Sequence, residues 1–165
     1  MARSRRARAF RLRDHLFLVV AGIVFAVVFT WTFQNARQPG TWQHVYATRE
    51  GEIGHRTSTR LVIQPESMFV ALPHPKALRK DVEVRYRGRV VVVPVLDVGP
   101  WNVDDAYWEN EARPASERGR GAYRTPVNRA GIDLSDAVFA TLGLHDNDFV
   151  EWRFVHRGYV VLPRL

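Results

Sequence analysis

Residues Arg89 to Trp101 read R-V-V-V-V-P-V-L-D-V-G-P-W. Five valines between Arg89 and Leu96, preceded by a turn at Gly88 and followed by Gly99-Pro100, describe a fully buried strand that stops in a tight turn. Asp97 stands where the apolar run ends. A carboxylate held there by a rigid strand on one side and a Gly-Pro turn on the other has the placement of a pre-positioned catalytic acid. The same placement suits an Asx-turn, in which Asp97 does no more than accept backbone N–H groups.

Outward from this strand the pattern is mostly β. Asp81 to Tyr86 (D-V-E-V-R-Y) alternates apolar and polar, and Arg87-Gly88 turns it into the valine strand, so the two make a hairpin. Shorter strands are expected over Gln43–Ala47, Leu61–Ile63 and Met68–Leu72. Phe149–Val155 and Tyr159–Leu162 flank His156-Arg157-Gly158 as a closing hairpin. One helix is expected over about Leu134 to Leu142, where Leu134, Val138 and Leu142 recur at i, i+4, i+8 and Gly143 stops the run. Asp133 has the chemistry of its N-cap, and Asp136 gives it an acidic first turn. Many short strands with one short helix describe a mainly β fold, a small closed six-stranded barrel better than a sandwich.

Residues 101–130 form a stretch without periodicity, and a loop of that length inside a compact domain is usually functional or disordered. Its front half carries Trp101, Tyr107 and Trp108. Such aromatics either stack on sugar rings as a binding platform or bury themselves as the core of the loop.

The chain has 165 residues, enough for one domain with a real core, and no cysteine, which excludes disulfides, zinc-thiolate sites and a cysteine nucleophile. The formal charge of +7 is unevenly placed. Arg3, Arg5, Arg6, Arg8, Arg11 and Arg13 against Asp14 put +5 into the first fourteen residues, leaving 18 basic against 16 acidic in the rest. A nearly neutral body argues against nucleic acid as a partner. His44, His55, His145 and His156 show no ligand spacing, so neither a metal nor another cofactor is expected.

Leu16 to Phe33 is an uncharged run of 18 residues, close to the length that spans a hydrocarbon core, with Trp31 and Phe33 where an interfacial aromatic belt would lie. A cleaved signal peptide and a buried helix of a soluble protein are the competing readings. The expected organisation is a basic cytoplasmic tail at 1–14, a transmembrane signal-anchor helix at 15–34, a linker at 35–42 and a barrel at 43–165 with the aromatic loop 101–130 inserted. The arginine cluster would keep the N-terminus inside, making the protein a single-pass inner-membrane protein with a periplasmic or extracellular domain.

The order of hairpin, V-x-V-x-D-x-G-P ending at Pro100, long connection, D-L-S-x-A from Asp133, L-G-L and closing hairpin resembles the double-psi β-barrel of rare lipoprotein A. More distantly it is similar to expansins, family-45 endoglucanases and the barrel of membrane-bound lytic transglycosylase A. The resemblance covers roughly residues 50 to 157. It implies an active cleft containing Asp97 and His74, the latter in V-A-L-P-H-P-K-A-L, with Glu66, eight positions before that histidine, in place of the usual aspartate. Asp133 matches the acid that expansins and family-45 endoglucanases keep at the glycosidic oxygen. Gly54, Thr57 and Thr59 echo the G-x-x-T-A-x-G loop without its alanine and second glycine.

The implied activity is lytic cleavage of peptidoglycan glycan strands. One acid, Asp97, protonates the bridging oxygen and then assists attack by the sugar's own 6-hydroxyl, with His74 orienting it. A glycan-binding or cell-division scaffold module without turnover, and a hydrolase pairing Asp97 with Asp133, remain the alternatives.

Overall fold

In a computed structural model the chain divides into two units, Met1–Gln38 and Pro39–Leu165, and residues 20, 22–24, 40–119 and 127–156 are described. In the first unit the described residues are helical. Among the described residues no helix is long and apolar enough to cross a membrane. Most of the run 16–33 lies outside them, as do the strand expected over Tyr159–Leu162 and the basic tail.

The second unit is a closed barrel of six strands, β1 (Gln43–Glu50), β2 (Val70–Leu72), β3 (Asp81–Tyr86), β4 (Arg89–Val98), β5 (Ile132–Ser135) and β6 (Asp148–Val155), with one short helix, α1 (Asp136–Leu142). Around the wall the order is β1-β5-β2-β4-β3-β6. The pairs β1/β5 and β2/β4 are parallel and the other four antiparallel. Exchanging β1, β5 and β6 for β4, β2 and β3 leaves this order unchanged, so the barrel wall has the pairing pattern of a two-fold.

Alternation fills the interior. Val45 and Ala47 of β1, Val82 and Val84 of β3, Val91, Val93 and Val95 of β4 and Trp152 of β6 are buried in one cluster. The β3–β4 hairpin occupies the expected residues. Pro94, which has no N–H to donate, sits where β4 stops pairing with β3 and Val95 begins pairing with β2.

Three expectations need correction. Leu61–Ile63 contributes only an isolated bridge, Arg56 to Val62, because Thr57 to Arg60 fold into a tight turn. The helix begins at Asp136 with Ser135 as its cap residue, and Asp133 lies on β5. The reason is non-local: Ile132 and Leu134 both enter the barrel core, which demands period two over I-D-L-S. Third, β1 runs on to Glu50, three residues past its expected end.

The aromatic loop packs largely onto the barrel. Tyr107 is buried, donating from its hydroxyl to the Gly131 carbonyl at 2.9 Å and accepting from Trp152 Nε1 at 2.9 Å. Trp108 lies edge-on to Tyr107, Trp152 and Phe154. The loop approaches so closely that a Cβ on Gly131 would stand 2.6 Å from Pro114 Cγ.

Where β3 meets β6, Glu83 is fully buried, its Oε1 accepting from two nitrogens of Arg85 (2.8 and 2.9 Å) and its Oε2 from two of Arg153 (2.7 and 2.9 Å). Trp42 covers both guanidinium groups, their carbons 3.9 and 4.3 Å from its ring centroid. Removing the shared acceptor would leave the Arg85 guanidinium against the Trp42 ring without its carboxylate. Glu83→Ala is expected to cost about 3 kcal/mol in urea unfolding, and a loss below about 1 kcal/mol would show that solvent replaces the carboxylate at no great cost.

Candidate functional site

Across the parallel stretch of wall, β1-β5-β2-β4, four residues pair in one row: Thr48 with Asp133, Asp133 with Ala71, and Ala71 with Asp97. Ile132, Leu134, Val70 and Leu72 point inward, so Asp133 and Ala71 point out. Asp97 joins them through a bulge. Val95 pairs with Val70 and the next pair is Asp97 with Ala71, so Leu96 is an extra residue and Asp97 escapes the inward phase of Val91, Val93 and Val95. Thr59 holds the bulge by donating from its N–H (3.2 Å) and hydroxyl (3.0 Å) to the Leu96 carbonyl.

Two strand spacings separate Asp133 from Asp97, roughly 10 Å between backbones, and what lies between is small. A Cβ on Gly99 would sit 3.4 Å from Asp133 Oδ2 and 3.8 Å from the Ala71 Cβ. Ala71 and Gly99 thus floor a groove of about 390 Å³, whose walls include Glu50, Glu52, Asp97, Asp133, Trp101, Asn128 and Asn147. Trp101 is 47% exposed and donates from Nε1 to Asn128 Oδ1 at 2.6 Å.

The carboxyls of the groove are in different states. Asp97 Oδ1 accepts from Ser58 N (2.9 Å), Ser58 Oγ (2.6 Å) and Val98 N (2.7 Å), so it is an acceptor fixed by a neighbouring turn. Burial, followed by the negative charges of Asp97 and Asp133 and a hydrogen bond to Asp97, pushes Glu50 from 4.5 up to about 9. Its Oε2 is buried without a partner in the fold. Asp133 is raised to about 6, chiefly by burial, against the Thr48 hydroxyl that donates to its Oδ1 and lowers it. At neutral pH the groove therefore holds a protonated Glu50 and an Asp133 that exchanges its proton near neutrality, which is the equipment of acid–base chemistry. Among the described residues no three His, Asp or Glu side chains are arranged to hold a metal ion.

A family model described as a domain of unknown function (DUF8814) matches residues 34–122. The chain belongs to this family. Glu50, Ser58, Asp97 and Trp101 fall within the matched stretch, and Asp133 beyond it. No curated protein matches the chain. Among solved structures it is similar to the Streptomyces papain inhibitor, at 23% identity and a TM-score of 0.46, over 72% of this chain and 97% of the inhibitor. It is also similar to the apo expansin of Clavibacter michiganensis, at 15% identity and a TM-score of 0.46, over 73% of this chain and 53% of the expansin. A mutant of that expansin in complex with cellohexaose matches at 13% identity and a TM-score of 0.47, over 73% of this chain and 54% of the other. The chain spans about half the length of these expansins.

Of the residues named from the sequence, Asp97, Asp133 and Trp101 meet in the groove. His74 does not line it: it precedes the 3-10 turn Pro75–Ala77, its Nδ1 accepts from Lys76 N at 3.0 Å, and its ring lies edge-on to Trp108. Glu66 is exposed in the turn from Gln64 to Ser67, also outside the groove. Tyr107 is buried and Trp108 packs on the core, so of the three aromatics Trp101 offers a face beside the carboxyls. Sequence reasoning missed Glu50, Ser58, Asn128 and Asn147. A signal for Glu50 exists: it lies two residues after Thr48 and so on the same face of β1.

These carboxyls set a pH dependence. Between about 4.5 and about 9 the folded chain keeps the Glu50 proton that the unfolded chain has lost, so stability falls as pH rises. Asp133 adds the same sign between 3.8 and about 6. The urea midpoint should fall from pH 5 to pH 8.5 and fall less in Glu50→Gln. An equal fall in both proteins would remove Glu50 as the cause.

Proposed function

We propose that the groove binds a cell-wall polysaccharide, peptidoglycan glycan in the first place, and cleaves it by lytic transglycosylation. The observation that carries this reading is Asp133 with its proton held to about pH 6, two strands from the fixed acceptor Asp97, in an open groove beside an exposed Trp101. The proton donor is thereby Asp133, and Asp97 takes a supporting role.

In this mechanism Trp101 stacks on a sugar ring. Asp133 gives its proton to the bridging oxygen as the bond to the anomeric carbon breaks, and Asp97 faces the positive charge that develops on the ring. The Asp133 carboxylate then takes the proton of the 6-hydroxyl as that oxygen closes on the anomeric carbon, giving a 1,6-anhydro end without consuming water. Neutral Glu50 keeps the groove from accumulating negative charge that would hold Asp133 protonated throughout. The likeness to rare lipoprotein A supports the wall as substrate. The uncharged run 16–33 behind an arginine cluster supports a domain tethered to the outer side of the inner membrane.

The half-exposed Trp101 also favours a second reading, a glycan-binding or cell-division scaffold module that holds the strand without cleaving it. Mass spectrometry of soluble products after incubating the full chain with purified peptidoglycan separates the readings. Anhydro-ended fragments are expected, reduced about 100-fold or more by Asp133→Asn. Reducing ends would mean hydrolysis by the Asp97–Asp133 pair, and no product with retained pelleting on the wall would leave the binding module.

A further inference from the structure

Asn128 and Asn147 line the carboxyl groove and also a second cavity of about 490 Å³, which continues along the outside of β1 and β6. Both amide oxygens are already used. Asn128 Oδ1 accepts from Trp101 Nε1 at 2.6 Å and Ala130 N at 3.2 Å, and Asn147 Oδ1 accepts from Arg49 N at 3.2 Å. Neither NH2 group donates among the described residues, so the junction of the two cavities carries free donors.

Beyond the junction stands Phe149, 47% exposed. Its ring lies parallel to His44 at 5.1 Å and edge-on to Tyr46 at 5.3 Å, which fixes its orientation while leaving much of it in water. Two arginines border this cavity. Arg113 is spent on Glu117 (Nε to Oε2 2.8 Å) and on the His44 carbonyl (2.6 Å). Arg129 is exposed, sits at φ +68°, and has no ion-pair partner among the described residues.

A braced aromatic ring, two amide donors and an unpaired guanidinium suit a sugar that carries acceptor groups and a carboxylate. We infer that the Phe149 cavity is a second subsite of the groove, taking the next units of the same strand, with Phe149 against a sugar ring and Arg129 paired to a carboxylate substituent. The substrate class is then a carboxylate-bearing glycan in preference to a neutral one. This inference rests on the reading of the carboxyl groove as a glycan site.

Titration calorimetry tests it with the full chain carrying Asp133→Asn, so that no turnover intervenes. Two tetrasaccharide probes are compared, a neutral N-acetylglucosamine oligomer and a wall-derived oligomer with lactyl carboxylates and no peptide. Arg129→Gln should weaken the acidic probe about tenfold and leave the neutral one unchanged. Phe149→Ala should weaken both about fivefold, and Trp101→Ala should weaken both as well. If Trp101→Ala weakens binding while Arg129→Gln and Phe149→Ala bind both probes like the parent, the second subsite is wrong and the groove stands. If the parent binds neither probe, the glycan reading of the groove falls, and the subsite with it.

Discussion

The site depends on one inserted residue. Along β4 the interior phase is odd, Val91, Val93 and Val95, and Asp97 would follow them into the apolar barrel. An ionised carboxylate there would face a desolvation cost of several kcal/mol. The bulge at Leu96 changes the phase by one, and the Leu96 carbonyl that leaves the ladder is taken up by Thr59. The same turn then presents Ser58 to Asp97, so one local device aims the carboxylate outward and supplies two of its donors. Thr59 and Ser58 thus position a wall residue of the groove, Asp97, even though their segment departs from the loop pattern it loosely echoes.

Strand pairing brings the remaining parts together from distant sequence. Thr48, Asp133 and Asp97 share a row because β5 lies between β1 and β2, and β2 beside β4. The other side of the barrel does different work: β3 and β6 meet at Glu83, whose two arginines and Trp42 seal the closure. Charge is therefore distributed differently on the two sides. The closure buries an acid between two bases, whereas the groove gathers several acids beside Arg49, whose guanidinium is paired to Asp136.

The valine hairpin was legible because its signal is local: apolar run, turn residues, alternation. Asp97 was legible as the end of that run, but its direction was not, since V-L-D reads alike with or without a bulge. Asp133 shows the opposite ambiguity. An aspartate before L-S-D-A has the chemistry of a helix cap, and only the demand for both Ile132 and Leu134 in the core places it on a strand facing out. Tyr107 and Trp108 were visible as aromatics in a long loop, yet burial was decided by Gly131 and Trp152, far along the chain. Glu50 escaped because T-R-E looks like a strand fraying into a turn, and β1 is extended there by pairing with β5.

The acids of the groove also explain one another. Carboxylates gathered in one groove repel one another, and burial adds a further cost for each charge. Leaving all of them ionised is therefore less favourable than keeping a proton on one whose buried oxygen finds no donor. Glu50 is that group, since its buried Oε2 has no donor in the fold and the charges of Asp97 and Asp133 face it, and Asp97, with three donors on Oδ1, is the natural acceptor beside it. Once Glu50 is neutral, Asp133 feels mainly its own burial and the charges of Glu52 and Asp97, opposed by Thr48, and comes to rest near 6. Without the Thr48 hydroxyl the same burial would hold the Asp133 proton more tightly. Thr48, paired with Asp133 across β1 and β5, is thus what sets the proton of this groove within reach of neutral chemistry.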